Sequence, residues 1–178
     1  MPLSGLMRFS LICLILQLCG CGTDATPQVL QYRQRYLLSE KPKGAISIEQ
    51  ARQSVQEDEN VTLSVRIGSK DIPQWWSEDK ATMIVSEGLE GSHYNLSNGH
   101  DPESCPFCRW KWKVENASAF VEFRDKNGAI IPLDCRTIFG FKENDQVLIN
   151  GKGYQNEDGF LELIVDGLYV PSQNSDEL

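Results

Sequence analysis

The sequence predicts a mainly β protein: a small, closed or nearly closed barrel of five to six strands, with one or two short helices and a long inserted loop. Three observations carry this expectation. Val61-Thr-Leu-Ser-Val-Arg-Ile67 alternates apolar and polar side chains along its whole length and stops at Gly68, as a strand with one buried face does. Ala119-Phe-Val-Glu-Phe123 alternates likewise and runs into Asp125-Lys-Asn-Gly128, whose Asn-Gly pair favours the positive backbone angles of a tight hairpin turn. Residues 47–171 are of single-domain size, long enough for one core, and no repeat or low-complexity tract interrupts them.

The elements follow in order. Residues 21–46 mix Thr, Pro, Gln and Lys around Val29–Leu38, which reads as a tether of low order carrying a short helix. Ser47-Ile-Glu-Gln50 has the spacing of a capping box, and Ile48, Ala51 and Val55 fall at helical intervals, which predicts a helix over 47–57. Ala81–Val85 is a short apolar strand, and Ala129–Leu133 is the returning arm of the hairpin. Pro132 cannot donate to a ladder, so that arm ends there or lies at an edge. Arg136–Phe141 reads as a helical turn, Gln146–Gly153 as a strand, and Phe160–Val165 as the last strand, finishing through Leu168–Val170. Residues 172–178 are expected to be a disordered tail.

The first twenty residues are a different kind of segment. One cation, Arg8, precedes an apolar run from Phe9 to Leu18 that is too short to span a bilayer comfortably, which is the pattern of a secretory leader. Leu18-Cys19-Gly20-Cys21 resembles the lipobox of bacterial lipoproteins, in which a leucine and a small residue precede the cysteine that is acylated and becomes the mature N-terminus. The resemblance implies a signal peptide over 1–20, lipidation of Cys21, and a lipid-anchored place in the bacterial cell envelope, facing the periplasm or the exterior. Cys19 departs from the pattern, which usually places Ala, Ser, Thr or Val there. An ordinary cleaved leader is the plainer alternative.

Of 17 basic side chains the leader holds Arg8, leaving 16 against 25 acidic, a net charge of about −9. This acidity argues against nucleic acid as a partner, since binding there draws on clustered Lys and Arg. The expected partner is the membrane, through lipid on Cys21. A protein partner stays open.

Val61–Ile67, Val121–Gly128, Asp145-Gln-Val-Leu-Ile-Asn-Gly151 and Leu161–Val170 look like the strand blocks of bacterial exported OB-fold proteins, over most of residues 47–170. The resemblance implies an OB-like barrel serving as a binding or structural module. The departure is the stretch from Glu87 to Ser118, with residues 87–117 as an inserted loop that holds both histidines, two cysteines and two of the four tryptophans. Loops of that length are commonly functional or disordered.

Within it, His100-Asp-Pro-Glu-Ser-Cys-Pro-Phe-Cys108 gathers one imidazole and two thiols, and Asp101-Pro102 has the look of a helix start, there or after Pro106. Three chemistries compete. As a metal site, Cys105 and Cys108 have the knuckle spacing of zinc ligands, His100 is a third donor, and Cys135 or His93 would complete the set, with zinc as the implied cofactor. As a redox site, Cys105-Pro-Phe-Cys108 resembles the glutaredoxin motif. That four-residue resemblance implies Cys105 as the attacking thiolate and Cys108 as the resolving one, although no β-α-β pattern surrounds them. The third is an inert disulfide among Cys105, Cys108 and Cys135. Covalent haem attachment is excluded because Arg109 stands where that motif requires histidine. No triad of nucleophile, base and orienter is visible, so a non-enzymatic module is expected. Trp75-Trp76 reads either as an aromatic contact site or as a lid on the core, and Arg109-Trp-Lys-Trp-Lys113 as a surface helix with one indole on the barrel.

Overall fold

The computed structural model describes residues 25–55, 59–96, 101, 104–106, 108–109 and 113–171. The leader with Cys21, the tail over 172–178, His100, Trp110 and Trp112 lie outside the described residues. Among the described residues four short helices and five strands follow in the order α1 (Pro27–Tyr36), α2 (Ile48–Ser54), β1 (Glu59–Ile67), β2 (Thr82–Glu87), α3 (Val114–Ala117), β3 (Ser118–Glu122), α4 (Cys135–Phe139), β4 (Gln146–Gln155) and β5 (Leu161–Tyr169). Among the described residues, no helix is long and apolar enough to cross a membrane.

The strands form one sheet that closes on itself in the order β1-β2-β3-β5-β4. Every pairing is antiparallel except β3 with β5, where Ala119 faces Leu161 and Val121 faces Leu163 in parallel register. Closure is made by β1 against β4, from Glu59 opposite Gly153 to Arg66 opposite Gln146. Alternation then sends Val61, Leu63, Val65 and Ile67 inward from β1, to meet Met83, Val85, Val121, Val147, Ile149, Leu161 and Leu163 from the other strands.

One irregularity shapes the ring. Between β4 and β5 the register slips at Asn150/Gly151, so that Gly151 faces Val165 while Asn150 faces Gly167 and Asp166 is left over. Such a bulge turns the strand face by one residue. The inward series on β5 accordingly runs Leu161, Leu163, Val165 and then Leu168. Gly151 has no room for a side chain, since a β-carbon there would stand 2.2 Å from the Ile164 carbonyl oxygen.

The helices are set by local chemistry. In α2 the Ser47 hydroxyl accepts from the Gln50 amide while the Gln50 side chain accepts from the Ser47 amide, the reciprocal cap that the sequence spacing predicts. Asp134 caps α4 by accepting from the Arg136 amide, and Gly140 ends it at a φ of 76°. The Asn-Gly turn also forms, with Asp125 N donating to Ala129 O and Gly128 at a φ of 82°. Beyond it the returning arm makes an isolated bridge, Arg124 with Ile130, and Ile131 N donates to Phe123 O while the Ile131 carbonyl accepts from Ala81 N, but no longer ladder forms because Pro132 follows at once.

Two expectations are corrected. The stretch 25–46, expected as a tether of low order, is packed: Thr26 and Pro27 start α1, and its Tyr36 is 1% exposed in the core. The Tyr36 hydroxyl donates to the Arg124 carbonyl, Arg33 Nε donates to the Ile138 carbonyl, and Leu38 N donates to Leu168 O at 2.8 Å. Tyr36 meets Phe123 and Phe139 edge-on and with them closes one end of the ring. The second correction concerns the cysteine loop, where the described residues form turns and not a helix.

Candidate functional site

The inserted loop leaves β2 at Glu87 and is tied down at its start. Glu87 is 1% exposed, and its two carboxylate oxygens accept from Ile48 N at 2.8 Å and from Leu89 N at 2.7 Å. One carboxylate thus holds the first turn of α2 and the first residues of the insertion together. Burial pushes the Glu87 carboxyl above its ordinary range, against the opposing pull of the amides that donate to it. Asn95, 3% exposed, donates to the carbonyls of Gly88 and Leu89, and Asn116 donates to the Tyr94 hydroxyl at 2.9 Å.

Further along, Lys70 from the β1–β2 connection lies 3.7 Å from the Asp101 carboxylate. Asp101 O accepts from Cys105 N, and Cys105 O accepts from both Cys108 N and Arg109 N, all at 3.1 Å. These turns bring the Cys105 and Cys108 sulfurs to 3.2 Å, with Cys105 half-buried and Cys108 8% exposed. The spacing is longer than the roughly 2.05 Å of a disulfide. It is shorter than the roughly 3.8 Å that separates two thiolates bound tetrahedrally at about 2.3 Å to one zinc.

Cys135 is placed elsewhere. It opens α4, is 0% exposed and belongs to the apolar core. Burial pushes its thiol far above the ordinary range and the Asp134 charge adds to the rise, so it stays protonated where it sits. Among the described residues no three His, Cys, Asp or Glu side chains gather as a metal-ligating group, so neither Cys135 nor His93 joins the Cys105–Cys108 pair there. His93 stands near the start of the insertion with its ring edge-on to Tyr94 at 5.4 Å.

Trp75 and Trp76 resolve as a lid. Trp75 is 4% exposed in the core, and the Arg136 guanidinium lies 4.0 Å above the Trp76 ring while pairing with Asp134 at 2.6 Å.

Sequence reasoning did not find the pocket beside the insertion. It has a volume of about 360 Å³, and Arg66, Lys70, Glu87, Tyr94 and Asn144 are among the side chains that line it. Asn144 takes a left-handed φ of 70° just before β4. Arg66 sits at a β1 position that alternation assigns to solvent, but the insertion supplies Tyr94 and Leu96 to the same cavity and leaves Arg66 half-buried. A charged residue in an alternating strand gives no hint of such cover. Compared with protein-family models and with curated proteins, the chain matches none.

Proposed function

We propose that this chain is an envelope-anchored bacterial lipoprotein, held by lipid on Cys21, whose domain is an OB-type binding module. The single observation that supports the module is the topology. A five-stranded ring in the order β1-β2-β3-β5-β4, with β3 parallel to β5 and a helix between β3 and β4, is the arrangement expected of an OB barrel. Folds of this kind use the β1–β2 connection and its surroundings for ligands, and here the insertion packs beside that connection. The anchor rests on Leu18-Cys19-Gly20-Cys21. Growth with a clickable palmitate analogue is expected to label the chain in membranes, and Cys21→Ser to remove both label and membrane retention. Label that persists in the variant would sink the anchor.

The thiol pair belongs to the same proposal as a zinc-like site. Cys105 and Cys108 supply two soft ligands and His100 a third. Protein purified without added zinc is expected to carry about one zinc per chain by elemental analysis, and Cys105→Ser to lose it. The observation that favours a second reading, a thiol-disulfide oxidoreductase, is the sulfur contact with Cys105 the more accessible partner. Metal-free protein in which iodoacetamide modifies Cys105 quickly at neutral pH would replace the zinc site with that reading.

A further inference from the structure

The pocket between the β1–β2 connection and the insertion contains a cation that no described residue pairs. Among the described residues the buried Arg66 Nε has no hydrogen-bond partner, and no carboxylate lies within ion-pair distance of the Arg66 guanidinium. Glu87 lines the same cavity but spends its oxygens on Ile48 N and Leu89 N. Leaving a guanidinium nitrogen dry and unpaired costs stability, and a group retained at such a cost is a mark of a site built for something else. The cavity, at about 360 Å³, is within the range of small-ligand sites.

We infer that this pocket binds a ligand through a carboxylate group that docks on the Arg66 guanidinium. A planar carboxylate matches the guanidinium fork in two parallel hydrogen bonds. The remaining charges favour a singly charged group over phosphate: Lys70 is already engaged with Asp101, while Glu87 and Asp71 line the same cavity and oppose a dianion. Ser69, whose hydroxyl lies 3.1 Å from that of Ser118 behind it, together with Ser86 and Asn144, gives the pocket a polar wall. The carboxylate belongs either to a free small acid or to a peptide C-terminus. The inference deepens the binding-module proposal and rests on it, while the anchor and zinc assays above test that proposal without touching this pocket.

The Arg66 Nε–Hε resonance of the ¹⁵N-labelled protein reads the contact directly. Titration with butyrate, triglycine, triglycine amide and inorganic phosphate separates the sources. Saturable movement of that resonance with butyrate alone supports a free acid, and movement with triglycine but not its amide supports a peptide terminus. Arg66→Met is expected to abolish binding with a melting temperature unchanged or raised, and Arg66→Lys to weaken binding at least several-fold. A resonance unmoved by either acid up to millimolar concentration overturns the inference. So does an amide that binds as well as its acid, phosphate that binds more tightly than either, or affinity that survives Arg66→Met. If Arg66→Met fails to fold, Arg66 is a structural residue and the inference falls as well.

Discussion

Gly151→Ala is expected to lower the stability of the domain by about 3 kcal/mol, the upper part of the range for forcing atoms into a filled interior. The reason is backbone and not side-chain crowding. The new carbon would stand 2.2 Å from Ile164 O and 3.1 Å from Val165 Cα, atoms of the neighbouring strand that move only if the β4–β5 register moves. Gly153, two residues further along β4, provides the comparison, for there a β-carbon would meet only side-chain tips of Val55 and Val61 at 3.3 Å and beyond. Urea unfolding of both variants should give a cost for Gly153→Ala below about 1 kcal/mol, as small packing adjustments do. Equal losses in the two would mean that the close approach at the bulge is not what requires glycine at 151.

Glu87→Ala should produce a comparable loss, roughly 3 kcal/mol, by a different route. It strands two amides, Ile48 N and Leu89 N, of which the first is buried, and each lost acceptor costs about 1 to 3 kcal/mol. The damage should spread unevenly, with hydrogen exchange accelerating in α2 and in residues 88–96 before it does in the strands. Glu87→Gln refines the test through pH. Burial raises the folded carboxyl above its ordinary value, so the fold favours the protonated form. Wild-type stability must then fall as pH rises from the ordinary carboxyl range through the raised folded value, a decline that the glutamine variant cannot share. The stability gap between wild type and Glu87→Gln should be widest in acid and narrow towards neutrality. A gap that widens instead would show that the folded carboxyl titrates low.

How much of this was legible in the sequence depends on whether the information is local. The capping box at Ser47 and Gln50, the alternation of β1 and the Asn-Gly turn are each decided by neighbours within a few residues, and all three form as their patterns predict. The docking of α1 was not legible, because Tyr36 looks unremarkable until Phe123 and Phe139, far along the chain, provide its partners. The same holds for Cys135. A third thiolate would suit a structural zinc set, but Asp134 starts a helix there, and Cys135 and Ile138 turn into the core. At the candidate site the sequence pointed to the cysteine pair, whose contact follows from three-residue spacing and the turns between, and missed Arg66, whose burial depends on an insertion placed over a strand face that reads as exposed.

The parallel pairing of β3 with β5 has a consequence in time. β5 supplies the neighbour of β3 on one side and of β4 on the other, and β1 waits for β4 across some ninety residues, as Val61 opposite Gly151 illustrates. Contacts that distant form slowly, since the chain entropy is lost before the contacts return anything. A nascent chain shorter than residue 161 therefore presents two unpaired strand edges and no closed core, an aggregation-prone state that ends only when residues 161–169 arrive. For this molecule β5 acts as a latch on folding itself, and its release from the ribosome sets the earliest moment at which the pocket exists.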